Sequence, residues 1–306
     1  MPAANLPHIE FSAYPRIPYW THVRTPVFEI ITTITNRVDR DMRREIEARA
    51  PGLRMYVRTH AQMARRTWEV IEALNDRKTN PLDPAIAVVF PPLARVIAES
   101  LISTAFVFED PSTRLTWFFK AAWRAVVDHH AERDAEYGQD PAWQPYLAAL
   151  ANERDEWVRQ LADQGTPLTP EELADPEEVP YWPNPGSMKR QTTDRDRKAV
   201  IAYVQAKFYG FLSAASHLSG IGWLAQGGAL LPEPTSDFAN KYFSDRVMEA
   251  LTLLLGLLSQ LTLDVLPEPA LARRVVGLWG APNMPGNTLE AYTRCFKAPL
   301  EALAAR

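Results

Sequence analysis

The chain is predicted to be all-α. Three observations carry that expectation: strand-like alternation is almost absent, apolar residues recur at the 3.6-residue helical period over long segments, and proline pairs punctuate those segments. With 306 residues, 46% hydrophobic and 23% charged, the chain can bury a substantial core in one large domain or two small ones. The economical arrangement is one domain over residues 1–306, a single bundle of about eight helices with a proline-rich surface excursion at 164–193. The helices after the excursion look too apolar to fold alone.

The elements follow in order. A first helix is expected at 26–49, stopped by Pro51-Gly52, and a second at 53–76 with an apolar stripe through Met55, Met63, Trp68, Ile71 and Leu74. Asp83-Pro84 is a cap followed by an N1 proline and opens a short helix that Pro91-Pro92 interrupts. Residues 93–109 are apolar on most sides. Asp110-Pro111 starts a helix to about Tyr137 with Trp117, Phe118, Ala121 and Ala125 inward, and Asp140-Pro141 starts one to about Asp163.

In 164–193, Thr169-Pro170-Glu171-Glu172 forms a capping box around one short helical turn. The prolines forbid a continuous helix and the acids favour water, so this segment is expected to be mobile or loosely packed, in a position to cover a cleft. A long helix follows at 194–224, ended by Gly227-Gly228. Thr235 or Ser236 caps the next, to Leu266, and shorter helices at 270–278 and 288–304 close the chain.

Composition limits the function classes. A net charge of -4 does not call for nucleic acid or an anionic membrane as partner. Arginines do crowd residues 37–66, and acids crowd 128–178; solvated helix faces account for both. Cys295 is the lone cysteine, which excludes an internal disulfide and a thiolate cluster and suits a reducing cytoplasm. Met1 to His8 have no secretory pattern. The run 247–266 approaches membrane-spanning length, yet Glu249, Gln260 and Asp264 make it a central buried helix rather than a span, so no membrane is expected.

Two polar stripes stand out in apolar helices. Arg95 and Glu99 lie at i and i+4, with Ser103 broadly in line. Tyr209, Ser213 and His217 fall at i, i+4 and i+8, beside small Ala206, Gly210, Ala214 and Gly220 that would let another helix approach. Such groups form either a buried hydrogen-bond network or a site. Arg95 and Glu99 are expected to be mostly buried, with His217 in the same cluster, where Glu99 would raise its pKa. Loss of one partner from such a buried pair would cost about 3–5 kcal/mol.

Other motifs are weaker. A serine hydrolase lacks its nucleophile elbow here. His130 and Asp134 share a helix face, but no H-E-x-x-H or paired E-x-x-H motif accompanies them, and no metal is expected. Phosphate-loop and dinucleotide signatures are missing, so no cofactor is expected. Arg124 and His129 match the R-x(4-6)-H pattern of HEPN-type ribonucleases, in which the pair would serve as phosphate stabiliser and general acid/base. Five helical residues, however, separate them by roughly 140° around the axis. Ala125 also stands where that family usually has a polar residue, and a solvent-facing structural origin is the plainer account.

The order of motifs resembles a bacterial all-helical family known only as a domain of unknown function. It comprises an arginine-containing helix (Arg58, Arg65, Arg66), Arg95-x-x-x-Glu99, Asp110-Pro111 with an aromatic helix, Tyr209-x-x-x-Ser213-x-x-x-His217 and a leucine-rich helix. The resemblance covers about residues 53–266 and implies that Arg, Glu, Ser and His form one cluster, with no catalysis attached. Three readings stay open. One is a cytoplasmic protein with a polar interhelical pocket at Arg95, Glu99, Tyr209, Ser213 and His217 for a small or nucleotide-like ligand. The second is a metal-independent ribonuclease of toxin or phage-defence type, with RNA as partner. The third is a structural or partner-binding bundle; a homodimer is compatible with each. Catalytic candidates are Glu99, His217, Arg124 and His129.

Overall fold

The first expected helix is three pieces. Helix α1 (Trp20–Asn36) begins before Pro26 and runs through it; a π-helical turn (Arg37–Asp41) and α2 (Arg43–Arg49) follow. These bounds come from a computed structural model, which describes residues 20–41, 43–75, 90–210, 212, 236–281 and 286–306. Among those residues the chain is helices joined by turns and short irregular segments, with no strand. Pro26 is tolerated because the carbonyl it leaves without a donor belongs to His22, which faces water. The wider π turn then re-phases the chain so that Ile34, Val38 and Ile46 all point inward.

Helix α3 (Leu53–Asn75) buries Leu53, Tyr56, Val57, His60, Ala64, Trp68 and Ile71. Of the stripe expected through Met55, Met63, Trp68, Ile71 and Leu74, Trp68 and Ile71 are buried, whereas Met55 is exposed and Met63 only partly covered. Helix α4 (Phe90–Val107) takes Pro91 and Pro92 into its first turn, where backbone N–H groups have no helical partner to lose. The short helix expected from Asp83 lies outside the described residues.

Helix α5 (Pro111–Tyr137) starts where the sequence said. The Asp110 side chain accepts from the Thr113 N–H at 3.3 Å, and Pro111 supplies the first turn. Leu115, Phe119, Ala121 and Trp123 face inward, whereas Ala125 points out. Helix α6 (Gln144–Asp163) packs back along α5.

Residues 164–193 contain α7 (Pro170–Ala174), a 3-10 turn (Pro176–Glu178) and α8 (Pro185–Gln191), and the capping box at Thr169 and Glu172 is closed. The segment is not loosely packed. Leu168, Val179, Met188 and Thr192 are buried, and α5 reaches out to bind the segment's backbone. Trp117 Nε1 donates to Pro180 O at 2.9 Å, Arg124 Nη1 to Glu177 O at 3.1 Å and Val179 O at 2.5 Å, and Lys120 Nζ pairs with Glu172 Oε2 at 2.6 Å. Proline-rich backbone cannot satisfy itself, so its carbonyls are satisfied from α5.

Helix α9 (Arg195–Val204) runs into a second π turn (Gln205–Tyr209); the rest of the long helix expected to 224 lies outside the described residues. Helix α10 (Ser236–Asp264) is the central element and packs chiefly on α4. Its window Val247–Asp264, apolar and long enough to cross a membrane by length and composition, is 83% buried inside the fold. Gly256 makes the α4 contact close, since a Cβ there would lie 2.8 Å from Leu101. Helices α11 (Pro269–Trp279), α12 (Gly286–Ala291) and α13 (Lys297–Ala304) close the chain. The last two are joined by a π turn (Tyr292–Phe296), whose rings stack on Trp279.

Candidate ligand-binding site

On α4, the buried seam is Ala94, Ile97, Ala98, Leu101, Ile102 and Ala105, at the helical spacing of a packed face. Arg95 and Glu99 flank that seam instead of lying in it. They do pair, Arg95 Nε to Glu99 Oε1 at 2.9 Å, but their side chains stay 23% and 45% exposed. The expected pairing is present, but the two are partly buried flank residues, Arg95 more covered than Glu99, and not core. Tyr209 joins them from the π turn after α9: the Arg95 guanidinium carbon lies 5.8 Å from the centre of its ring. The Glu99 hydrogen bond is the main reason that Arg95 holds its proton more firmly than a free arginine.

The pair stands at the rim of a cavity of about 420 Å³. Helix α4 lines it with Glu99, Ser100 and Ser103, and α3 with His60 and Met63. Phe118 of α5, Trp182 to Pro185 and Tyr209 complete the wall. The proline-rich segment thus forms one side of the cavity, anchored because Trp182 sits among Phe106, Trp117 and Phe118 at ring-centre distances of 5.6, 5.6 and 5.1 Å. That size falls within the range of pockets that enclose small organic ligands.

His60 is a participant that the expected stripe did not include. With α3 read in the phase of Tyr56, Ala64 and Trp68, His60 falls on the buried face. It is 8% exposed, its Nδ1 has no hydrogen-bond partner among the described residues, and the Tyr56 ring meets it edge-on at 4.2 Å. Burial drives its pKa down to about 4, so the imidazole is neutral at physiological pH. Behind it the Tyr56 hydroxyl and Ser103 Oγ share a hydrogen bond of 2.8 Å, and burial raises the Tyr56 pKa.

The other candidates fall elsewhere. Arg124 is buried, not solvent-facing: besides its bonds to Glu177 O and Val179 O, its guanidinium lies 3.8 Å from the ring centre of Tyr181. His129 turns toward α6, its Nε2 3.1 Å from the Tyr146 hydroxyl. The two are held by different segments, Arg124 by residues 177–181 and His129 by α6. Ser213 and His217 lie outside the described residues. No group of three or more His, Cys, Asp or Glu is placed to hold a metal ion among the described residues.

No family model matches the chain, and no curated protein or solved structure matches it either. What the cavity offers chemically is a carboxylate acceptor, a neutral imidazole, hydroxyls and aromatic walls. That set suits binding and orientation of a small molecule.

Proposed function

We propose that the chain binds a small organic molecule in the cavity bounded by α3, α4, α5 and residues 182–188. One observation carries this reading: Glu99, Tyr209 and His60, polar groups from three separate parts of the chain, converge on one cavity otherwise walled by aromatic and apolar side chains. In this reading the protein is a single helical bundle of about eight main helices. The proline-rich segment serves as a wall of the cavity, and Cys295 accords with a reducing cytoplasm. Ser213 and His217, four and eight positions after Tyr209 in the sequence, are proposed as further polar members of the site and lie outside the described residues. The ribonuclease reading has lost its strongest support, because Arg124 is committed to the backbone of 177–179.

The test is ligand-observed NMR with small aromatic fragments on the wild type and on Val96→Trp. Val96 lines the cavity and is 42% exposed, so a larger side chain there obstructs the opening without entering the core. Fragments should bind the wild type and lose contact in the variant. Binding that survives Val96→Trp unchanged, or no binding at all, would leave the structural-bundle reading in its place.

A further inference from the structure

We infer that the ligand is a neutral planar heterocycle presenting two adjacent N–H donors, the edge that guanine or a 2-aminopyrimidinone carries. The inference rests on the binding role proposed for the cavity and adds the ligand's chemistry.

The charges decide against the alternatives. With His60 neutral, Glu99 is the one charged side chain in the cavity wall among the described residues. An anion such as a phosphate would meet a carboxylate and no available cation. An organic cation gains little, since Arg95 already offsets the Glu99 charge from 2.9 Å. What the pair leaves on offer is acceptor capacity. Oε1 takes the Arg95 Nε–H, while Oε2 has no hydrogen-bond partner among the described residues. A carboxylate has about four lone-pair directions, enough for a further pair of parallel N–H donors.

The walls select shape. Phe118 and Trp182 stand nearly perpendicular, 82° between planes and 5.1 Å between centres, so one meets a planar ring on its face while the other meets its edge. The volume accepts a heterocycle with a modest substituent.

The experiment is calorimetric titration and thermal melting of the full chain with matched probes. Isocytosine and guanosine carry the paired donors; 4-pyrimidinone and inosine lack the amino group. Tryptamine supplies a planar cation, guanosine 5′-monophosphate an anion and toluene a bare ring. Isocytosine or guanosine should bind about tenfold or more tighter than its amino-less analogue. The phosphate should add nothing, and Glu99→Gln should erase the difference by setting an amide N–H against the ligand's own donors. Equal binding of the matched analogues overturns the inference, as does tighter binding of tryptamine or of the monophosphate. If toluene binds and no heterocycle does, the ligand class is wrong while the cavity reading stands; if none of the probes binds, both fall.

Discussion

Two of the arginine–carboxylate pairs of this protein behave in opposite ways. Arg197 and Asp264 bridge α9 and α10 through two contacts, Nη1 to Oδ2 at 3.0 Å and Nη2 to Oδ1 at 2.5 Å, with side chains only 20% and 5% exposed. Gln260 also donates to Asp264, and Arg49 donates to its carbonyl, so the whole residue is satisfied. Arg95 and Glu99 pair on one helix and, among the described residues, leave a carboxylate oxygen without a hydrogen-bond partner at a cavity rim. A pair with every acceptor filled holds helices together; a pair with an acceptor to spare can receive a ligand. Burial raises the Asp264 pKa despite the opposing pull of Arg197, which marks a charge kept in the core by its partner.

The sharpest way to break this contrast is Arg197→Met, which leaves the buried Asp264 carboxylate without its guanidinium. Urea unfolding should show a loss of about 3 kcal/mol, whereas replacing both partners by apolar residues of similar size should cost far less. A loss below about 1 kcal/mol for the single variant would put this pair in the same class as the exposed one.

Acid gives an intermediate effect through a third pair, Arg114 and Glu109, at the junction of α4, α5 and α9. Burial pushes the Glu109 carboxyl up, but hydrogen bonds from Thr193, from the Asp194 N–H and from Arg114 outweigh it and bring the pKa down to about 2. A depressed carboxyl stabilises the fold above its unfolded value, and that contribution is lost as pH falls from the ordinary carboxyl range toward 2. Asp264, with its pKa raised, has the opposite sign: its contribution is fully present at low pH and is lost as pH rises through its folded value. Glu109→Gln should therefore start less stable at neutral pH and lose less on acidification than the wild type. Parallel acid-unfolding curves for the two proteins would show that Glu109 is not the responsive group.

The smallest expected effect is that of Glu99→Gln on stability. A partly exposed pair contributes at most about 1 kcal/mol, far below the cost that a buried pair would carry. A thermal melt close to that of the wild type is the expected result; a loss above about 2 kcal/mol would mean that Glu99 supports the fold and not the cavity rim.

Where local chemistry decides, the sequence was readable. Asp110-Pro111 marked the start of α5 to the residue, and Thr169-Pro170-Glu171-Glu172 marked a capping box, because a cap is made by groups a few residues apart. Arg95, Glu99 and Tyr209 were legible as polar residues on apolar helices, and the fold brings these three together. His60 was missed because Met55 and Met63 look like core residues, and hydrophobicity alone does not fix the phase of a stripe when sulfur side chains also tolerate the surface. The 164–193 segment was misjudged for a different reason. Its prolines and acids do describe backbone that cannot pair with itself, but whether that backbone is loose or held depends on donors elsewhere, here Trp117 and Arg124 of α5.

By itself, then, the sequence determined the all-α class, the starts of helices that carry their own caps, and which polar residues sit on apolar helices. Each of these is a property of neighbours along the chain. Only the tertiary structure decided that Arg197 finds Asp264 while Arg95 stays at a rim, that His60 turns inward, and that a proline-rich segment becomes the wall of a cavity. The burial of a charge and the partner of a carbonyl are settled by groups tens of residues away, and no local pattern encodes that distance.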